Sequence, residues 1–369
     1  MRRILEVFGE PISRGGQESY VYNTLKHMDL SDFQIDLFTP YYCDNERYQK
    51  FIEGINGKII TGNVSFKVGG SRREIIPVFK QHLDQNKYDI IHIHSGSTSV
   101  LAYYSKYAYL SGAKKVIVHS HSSGEKENIK HWLIKRYSTL YFNKYVTDFC
   151  ACSKEAAIWK FPKSKINNTL ILKNGVDLNL FQFRQDERIE MRNLFNIDSK
   201  TLVLGSVGRF TKEKNQIFLV NLMADYVKIN SNVILVLVGD GDEKSNVQER
   251  VKSLHLENNV IFAGSRDNVY DFMQMFDIFL FPSLYEGLGI VAIEAQATGL
   301  PVIASEGVPK DIKITDTVKF QNLDDHKGWL ECISSFMNAK RINQSNLVKK
   351  NGFDILDTAK NIYEMYEVL

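Results

Sequence analysis

Residues 279–304 read FLFPSLYEGLGIVAIEAQATGLPVIA, and this stretch decides the interpretation of the whole chain. Its first apolar residues predict a buried strand, and the glycines that follow predict a turn. The segment Ile290–Ala297 has helix-forming apolar residues and neither Pro nor Gly, so it predicts a helix. Glu286 and the Gly287-Leu288-Gly289 backbone therefore lie at the N-terminus of this helix, and Glu294 lies about two turns further along it.

The chemistry of this helix N-terminus points to a ligand that carries both phosphate and sugar. Free backbone N–H groups at a helix N-terminus favour anions, phosphate above all. A carboxylate beside them accepts hydrogen bonds from the hydroxyls of a sugar or a ribose. The alternative is an ordinary capped helix on which Glu286 and Glu294 are surface acids.

The spacing of the two glutamates forms an E-x7-E pattern, which resembles the signature of retaining glycosyltransferases of family 4, also called glycosyl transferases group 1. The resemblance extends over nearly the whole chain. Further landmarks stand in the order found in that family: Gly15-Gly16-Gln17-Glu18, Asn174-Gly175-Val176-Asp177, Gly208-Arg209 followed by Lys214, and Gly239. The ending Glu294-Ala295-Gln296-Ala297 and the later Pro309-Lys310 most resemble transferases that build bacterial capsule or exopolysaccharide.

Length and composition are typical of a globular protein with two domains. The 369 residues are 44% hydrophobic and 24% charged. Residues 1–175 carry 25 Lys and Arg against 16 Asp and Glu, a formal charge of +9, whereas the rest of the chain carries 21 against 27, a formal charge of −6. This asymmetry indicates that only the N-terminal half meets an anionic partner.

The four cysteines, Cys43, Cys150, Cys152 and Cys332, form no C-x-x-C pair. The N-terminus shows no secretory signal, and no apolar stretch approaches the roughly 20 residues that span a bilayer. We therefore expect a reduced, cytoplasmic protein, with a peripheral position on the inner face of the cell membrane as a further hypothesis.

Apolar runs alternate with helical stretches, which predicts two successive parallel sheets covered by helices on both faces. The first series of predicted strands is Ile4–Phe8, Phe33–Phe38, Ile90–His94, Val116–His119 and Phe149–Ala151. The second series, after turn residues at Asn174-Gly175, is Leu202–Val207, Val233–Val238, Val260–Phe262, Ile278–Phe281 and Pro301–Ala304. The predicted fold class is α/β, with two doubly wound, Rossmann-like domains.

For a family 4 transferase, this pattern implies the GT-B architecture, in which the two domains face a cleft. Residues 1–174 are then the acceptor-binding domain, and residues 175–354 bind the nucleotide-sugar donor. The amphipathic segment of about 355–369 is expected to cross back onto the N-terminal domain.

The resemblance implies roles for the charged residues that match its motifs. Arg209 and Lys214 bind the diphosphate, where an arginine pairs in a forked geometry and a lysine acts as a point charge. Cations at this position stabilise the charge that grows on the leaving phosphate. Glu294 binds the ribose hydroxyls, and Glu286 faces the hydroxyls of the donor sugar. The alternative for the two cations is that both are solvated surface residues.

Backbone groups complete this expected donor site. The N–H groups of the run Gly287-Leu288-Gly289-Ile290 lie beside the sugar and the phosphate, and the Gly15-Gly16 pair allows close approach of the diphosphate. Gly239 belongs to a glycine-rich donor loop, and Arg266 borders the base. The alternatives are a simple tight turn at Gly15-Gly16 and, for Asp240-Gly241-Asp242, a D-x-D metal site of the kind found in another transferase fold.

Two H-x-H pairs, His92-Ile93-His94 and His119-Ser120-His121, end predicted strands of the N-terminal half. Such spacing suits metal ligation, but no Cys, third His or paired carboxylate accompanies either pair, so no metal site is predicted. By resemblance, His121 contacts the donor sugar. The alternative is a satisfied histidine at the end of a strand.

Residues 126–145, KENIKHWLIKRYSTLYFNKY, mix basic residues with large apolar ones. Basic residues beside amphipathic aromatic side chains suit an anionic membrane interface. A basic aromatic stripe also suits RNA, but no recognised nucleic-acid module accompanies this one. The remaining alternative is a helix that packs in the core and carries solvated lysines.

The resemblance therefore implies a retaining, metal-independent hexosyltransferase that uses a UDP-linked sugar and needs no cofactor. The acceptor is a saccharide or a lipid-linked saccharide in the synthesis of surface polysaccharide. The residues expected to be catalytic are His121, Arg209, Lys214 and Glu286. The alternatives are a sugar-nucleotide 2-epimerase of the same architecture and a non-catalytic carbohydrate-binding subunit. One departure from the family pattern is Lys310, which stands where many members have Glu.

Overall fold

The protein forms two compact units in the computed structural model. The structure describes residues 1–13, 15–67, 73–122, 129–337 and 339–368. Unit 1 comprises Met1–Gly175 together with Ile355–Leu369, and unit 2 comprises Val176–Asp354.

Unit 1 is built on a parallel sheet of seven strands. They are β1 (Arg2–Phe8), β2 (Phe33–Thr39), β3 (Ile59–Thr61), β4 (Ile90–Ser95), β5 (Lys115–Ser120), β6 (Asp148–Ala151) and β7 (Leu170–Ile171). Their order in the sheet is β3-β2-β1-β4-β5-β6-β7. The chain moves outward from β1 to β3 and then returns to the other side of β1, so the topological switch point lies between β1 and β4.

Seven helices of unit 1 precede its boundary with unit 2 in the described part of the chain. They are α1 (Gly16–Lys26), α2 (Glu46–Gly54), α3 (Ile75–Gln85), α4 (Thr98–Leu110), α5 (Ile129–Tyr145), α6 (Lys154–Lys160) and α7 (Lys163–Ile166). Side chains alternate along each strand, so the two faces of the sheet differ in chemistry. One face is apolar, with residues such as Val7, Ile93 and Val118 packed in a core that includes α3 and α4.

The opposite face of the same sheet carries a strip of buried polar side chains. The register of the parallel strands places Glu6 beside His92, His94 beside His119, and His119 beside Cys150. Each of these five residues is at most 2% exposed. We call this row the polar strip.

Unit 2 contains a second parallel sheet, of six strands. They are β8 (Leu202–Val207), β9 (Val233–Val238), β10 (Val260–Gly264), β11 (Ile278–Phe281), β12 (Val302–Ser305) and β13 (Val318–Gln321). Their order is β10-β9-β8-β11-β12-β13, which is the Rossmann order with a switch point between β8 and β11. All strands predicted from the sequence in both halves are present, with ends that differ by at most two residues.

Helices of unit 2 cover both faces of its sheet, and their apolar side chains form two buried clusters with the strands. The helices of unit 2 are α8 (Gln185–Leu194), α9 (Gln216–Ile229), α10 (Lys244–Ser253), α11 (Val269–Met275), α12 (Ile290–Ala297), α13 (His326–Phe336) and α14 (Ser345–Lys350). Two short 3-10 turns, Lys212–Lys214 and Lys310–Ile312, follow β8 and β12.

The last helix, α15 (Ile355–Glu367), belongs to unit 1 and packs against α1. Lys115 Nζ donates to the carbonyl oxygens of Met365 at 2.6 Å and Val368 at 2.7 Å. Arg2 donates to the carbonyl oxygen of Tyr366 at 3.2 Å. The last carbonyl groups of a helix have no intrahelical partners, and these two cations satisfy some of them. Their positive charge also interacts favourably with the negative end of the helix dipole. Among the described helices, none combines the length and the apolar content needed to cross a bilayer.

Candidate active site

The switch point of unit 2 brings the predicted site residues to one edge of its sheet. Open α/β sheets bind ligands outside the carboxyl ends of their strands, at the switch point. Here β8 is followed by Gly208 and Arg209, and β11 is followed by the turn that carries Glu286. The Arg209 side chain is exposed at this edge.

An ion pair between Lys214 Nζ and Glu286 Oε1 joins the two sides of this switch point. The hydroxyl of Ser283 donates to the same carboxylate oxygen at 2.7 Å. Lys214 Nζ also lies 5.4 Å from the centre of the Phe281 ring. The side chains of Lys214 and Glu286 are only 26% and 11% exposed, so water screens this pair less than a surface pair.

The turn that leads into α12 depends on Gly289. This residue has a φ of 84°, and a Cβ at its position would lie 2.7 Å from Cε1 of Phe281. Both features require glycine. Gly289 is the N-cap of α12 and offers no side-chain cap, so the N–H groups of the first turn remain available to a ligand. The helix predicted over Ile290–Ala297 is confirmed with the same ends.

Glu294 lies on α12 and is partly accessible to solvent. Within the described ranges of the chain, its carboxylate has neither a hydrogen-bond donor nor a cationic partner. Burial raises the pKa of this carboxyl to about 7. A carboxylate that is largely shielded from water and has no donor is a position that the hydroxyls of a ligand would satisfy.

The glycine loop after β9 packs directly on the backbone that follows β8. Gly239 has a φ of 144°, and a Cβ there would lie 2.0 Å from the carbonyl oxygen of Gly208. The neighbouring Asp240 accepts a hydrogen bond from Lys244 Nζ at 2.8 Å, and this bond lowers the pKa of its carboxyl. An aspartate already paired with a lysine favours the loop interpretation of the D-x-D sequence over a metal site.

Arg266 follows β10 on the same side of the switch point. Its Nε donates to the carbonyl oxygen of Ala263 at 2.7 Å, and its guanidinium carbon lies 5.8 Å from the centre of the Phe272 ring. The N–H of Gly239 donates to the carbonyl oxygen of Gly264 at 2.8 Å, which ties this strand end to the glycine loop. The expected contact of Arg266 with a base stays a prediction.

In unit 1, Gly15 is the N-cap of α1 and Gly16 is its first residue. A Cβ at Gly15 would lie 2.3 Å from Oε2 of Glu18, whereas a Cβ at Gly16 would meet no atom of the described residues within 4 Å. The backbone at Gly16 is therefore open to an approaching ligand.

The two histidine pairs form one cluster because β4 and β5 are neighbours in the sheet. The ring centres of His92 and His119 are 5.4 Å apart, and His121 Nε2 is 2.8 Å from His94 Nδ1. Burial lowers the pKa of His121 well below its usual value, so its ring is neutral at pH 7. The premise that neither pair has further ligands nearby is wrong, since each pair lies beside the other and beside the carboxylate and the thiol of the polar strip.

Polar residues that no local pattern marks also line these sites. Ser283 at the Glu286 carboxylate is one of them. In unit 1, Glu10 Oε1 accepts from the hydroxyl of Ser95 at 2.9 Å, across the switch point between β1 and β4. Lys160 Nζ donates to the carbonyl oxygen of Gly96 at 2.6 Å, and burial lowers the pKa of this lysine to about 8. The groups in unit 1 meet only through the lateral order of the strands, whereas Ser283 and Glu286 belong to one turn.

Comparison with known proteins identifies the family. Residues 14–180 match the family model described as Glycosyltransferase Family 4, and residues 187–315 match the one described as Glycosyl transferases group 1. Over 322 residues the chain is 30% identical to a putative glycosyltransferase, EpsF of Bacillus subtilis, with 84% of this chain and 81% of EpsF covered. This chain is a family 4 glycosyltransferase.

Other relatives of the transferase agree with this membership. It is 26% identical over 321 residues to the Escherichia coli UDP-Gal:alpha-D-GlcNAc-diphosphoundecaprenol alpha-1,3-galactosyltransferase, with 80% of this chain and 79% of that enzyme covered. The crystal structure of Anabaena HepE in complex with UDP aligns over 100% of both chains, with a TM-score of 0.77 and 18% identity. WaaG, a glycosyltransferase involved in lipopolysaccharide biosynthesis, aligns with a TM-score of 0.73 and 15% identity over 98% of this chain and 99% of WaaG. The predicted GT-B fold is confirmed.

The edge of unit 2 offers the transferase two kinds of group. Arg209, Lys214 and the N–H groups that begin α12 suit a diphosphate. Glu286 and Glu294 suit hydroxyl donors. Because Glu286 is already bound by Lys214 and Ser283, it is better suited to orient a hydroxyl than to act as a nucleophile.

Proposed function

We propose that the transferase moves a hexose from a UDP-sugar to a saccharide or lipid-linked saccharide acceptor, with retention of configuration, in the synthesis of surface polysaccharide. The observation that carries this proposal is the ion pair between Lys214 and Glu286 across the switch point, next to the N-terminus of α12. It holds a cation suited to a phosphate beside a carboxylate suited to a sugar, which is the arrangement that the bond between sugar and diphosphate requires.

Neutralisation of the leaving diphosphate is the main chemical task of this site. When the bond between the sugar C1 and the β-phosphate oxygen breaks, negative charge grows on the phosphate. Arg209 and Lys214 supply cations there, and the N–H groups of Gly287-Leu288-Gly289-Ile290 supply hydrogen bonds. These interactions strengthen as the charge develops, so they accelerate the reaction. With two cations in place, we propose that the diphosphate needs no divalent metal and that the reaction needs no cofactor.

Retention follows from attack on the face that the phosphate leaves. The acceptor oxygen bonds to C1 on that face, and its proton passes to the departing phosphate oxygen. Glu286 orients hydroxyls of the transferred sugar, and Glu294 receives the ribose hydroxyls. We propose that His121 contacts the donor sugar. Its Nδ1 has no hydrogen-bond partner in the described part of the chain, so this atom could bond to a sugar hydroxyl.

We infer the classes of donor and acceptor from the names of similar proteins and from the residues that lie at the carboxyl edges of the two sheets. HepE crystals contain UDP or UDP-glucose, and the similar Escherichia coli enzyme is named for a UDP-Gal donor and a diphosphoundecaprenol acceptor. We assign donor binding to unit 2, with Gly239 and Arg266 beside the nucleotide. We assign acceptor binding to unit 1, and we propose that Gly15 and Gly16 let the diphosphate approach the backbone closely.

We also propose that unit 1 docks on the anionic inner face of the cell membrane. Its helix α5 exposes an apolar stripe at helical spacing, with Leu133 at 54%, Tyr137 at 51% and Leu140 at 67% exposure. Arg136 and Lys144 are exposed beside this stripe. Among the described side chains of α5, only Ser138 and Phe142 are fully buried, which disfavours the core-helix alternative. The start of the basic segment, including Lys126, lies outside the described residues.

Product analysis tests the reaction directly. The protein is incubated with UDP-glucose, UDP-galactose or UDP-N-acetylglucosamine and with saccharide acceptors, in the presence of EDTA. We expect release of UDP and a product whose anomeric configuration, read by NMR, matches that of the donor. Inverted product, inversion at C2 of the donor sugar, or activity that appears only with Mn²⁺ would each overturn part of the proposal. Glu286→Gln is the inactive reference.

A further inference from the structure

We propose that unit 1 binds one thiophilic metal cation, Zn²⁺ or Cu⁺, between His92, His119 and Cys150. These residues lie on three neighbouring strands, β4, β5 and β6. One ligand atom from each lies within 4.8 Å of the other two, and all three residues are buried. None of them belongs to the donor site proposed above, so the cation has a structural role and takes no part in sugar transfer.

Unsatisfied nitrogen atoms are the first support for this site. His92 Nε2 and both ring nitrogens of His119 are buried without a hydrogen-bond partner among the described residues. Buried polar atoms are normally satisfied, because leaving one unpaired costs about 1–3 kcal/mol. A bound cation would remove this cost for His92 and for one nitrogen of His119.

A chain of hydrogen bonds fixes which nitrogen of His92 is free to ligate. The Tyr366 hydroxyl donates its only proton to Glu6 Oε1 at 2.5 Å. The Tyr366 hydroxyl oxygen lies 2.6 Å from His92 Nδ1, and because its own proton goes to Glu6, it accepts a hydrogen bond from a protonated Nδ1. This tautomer leaves the lone pair on Nε2, which is the unsatisfied nitrogen. A ligating histidine oriented through its other nitrogen is the usual arrangement at protein metal sites.

The sulfur atoms define the class of cation. Cys150 Sγ is 3.6 Å from the thioether sulfur of Met365, on α15. Two imidazoles and a thiolate beside a thioether suit zinc and copper, whereas magnesium and calcium prefer oxygen. Burial raises the pKa of the Cys150 thiol, so this thiol keeps its proton until a metal displaces it. Binding therefore forms the metal–sulfur bond and releases one proton to solvent.

Charge balance supports the site as well. Glu6 is 2% exposed, and among the described residues its ion-pair contacts are to His92 and His94 alone. A Zn²⁺ ion would balance the Cys150 thiolate and the Glu6 carboxylate together. Ligand atoms around tetrahedral zinc are about 3.5 Å apart, and those of the three residues lie within 4.8 Å of one another, so binding needs them to approach by no more than about 1 Å.

Cobalt spectroscopy tests the site without relying on any variant. The full-length protein, without an affinity tag and stripped with a chelator, is titrated with Co²⁺. A cysteine ligand produces thiolate-to-cobalt charge-transfer absorption, which ordered water in the cluster cannot produce. We expect this absorption to saturate at one Co²⁺ per chain and to disappear when one equivalent of Zn²⁺ is added. Its absence in the folded wild type would overturn the proposal.

Two variants and two controls assign the ligands. Cys150→Ser should abolish the charge-transfer absorption, and His119→Gln should weaken Zn²⁺ binding at least tenfold. Cys332→Ser, at a buried cysteine of unit 2, and His82→Gln, at a half-buried histidine of unit 1, should change neither. Unchanged absorption in folded Cys150→Ser would remove the site from this position. A parallel titration with Cu⁺ decides between the two ions. Melting temperatures of the stripped protein are compared with Zn²⁺ and with Cu⁺, and the native cation should give the larger increase.

Discussion

Single cations at the edge of unit 2 should determine how strongly the transferase holds a diphosphate. Arg209→Ala and Lys214→Ala are each expected to weaken UDP binding and to slow transfer by more than tenfold. Hydrogen bonds to charged groups contribute about 1.5–3 kcal/mol, and 1.4 kcal/mol is a factor of about ten. Calorimetry with UDP and steady-state kinetics measure the two effects. Lys212→Ala, an exposed lysine on the same 3-10 turn as Lys214, is the matched control. Wild-type values in both folded variants would remove Arg209 and Lys214 from the site.

Glu294 should make the ligand-free protein less stable as pH rises. Burial raises the pKa of its carboxyl from 4.5 to about 7, so the folded state holds a proton that the unfolded state has lost. The resulting cost in unfolding free energy is absent below pH 4.5, grows between pH 4.5 and 7 and is complete above 7. We therefore expect Glu294→Gln to melt at a higher temperature than the wild type at pH 8 and at a similar temperature at pH 4.5. A difference that does not change with pH would contradict the assigned cause.

The same substitution should weaken UDP binding, because the ionised carboxylate is the better acceptor for ribose hydroxyls. Glu286→Gln should instead retain UDP affinity and lose turnover, because Glu286 is assigned to the transferred sugar. Binding of UDP and turnover of a saturating UDP-sugar are measured for both variants. If the two variants lose UDP affinity equally, the division of roles between Glu286 and Glu294 is incorrect.

At the scale of single elements, the entry into α12 depends on one glycine. Gly289→Ala puts a residue with a side chain into the left-handed backbone region, and its Cβ would lie 2.7 Å from the Phe281 ring. We therefore expect the free energy of unfolding to fall by at least about 1 kcal/mol. Gly287→Ala is the matched control two residues away, because a Cβ there meets no atom within 4 Å in the part of the chain that the structure describes. Thermal melts of both variants test this difference. Equal melting temperatures would show that the turn can adjust around Phe281.

Well-buried strands were predictable from sequence, and three poorly buried strands were not. Runs such as Val233–Val238 are recognisable because both faces of a parallel strand are buried. Three strands escaped prediction because they lie at sheet edges and contain at most one buried residue each: Ile59–Thr61, Leu170–Ile171 and Val318–Gln321. Their strand conformation comes from pairing with a neighbour that the sequence does not identify.

Across the whole molecule, local motifs were easier to find than lateral neighbours. Most residues expected at the donor site lie in short segments after strands, so the motifs of the family could be matched along the chain, and their roles at the donor stay predictions. The polar strip was missed because it depends on the order β1-β4-β5-β6 in the sheet, which brings Glu6, His94 and Cys150 into one row. The expectation that no further ligand accompanies the histidine pairs failed for this reason.

The charge asymmetry between the two halves of the chain should appear as membrane binding by unit 1. We expect the protein to pellet with anionic vesicles at low salt and to be released at high salt. Each basic residue near such a surface contributes about 1 kcal/mol, and the Debye length shrinks to about 3 Å at 1 M salt. Replacing Arg136 and Lys144 by Gln, or Leu133 and Leu140 by Ser, should reduce pelleting, because these side chains are exposed together on α5.

The matched control for this membrane prediction removes the same charge from the other unit. Lys200→Gln with Lys252→Gln, both exposed in unit 2, should leave pelleting unchanged if α5 is the docking surface. UDP binding should be intact in all of these variants, since none alters the residues assigned to the donor. Equal recovery on neutral and anionic vesicles, or no pelleting at low salt, would refute docking. A loss of UDP binding in the α5 variants would instead mean that this helix supports the fold, and the exposed stripe would need another partner.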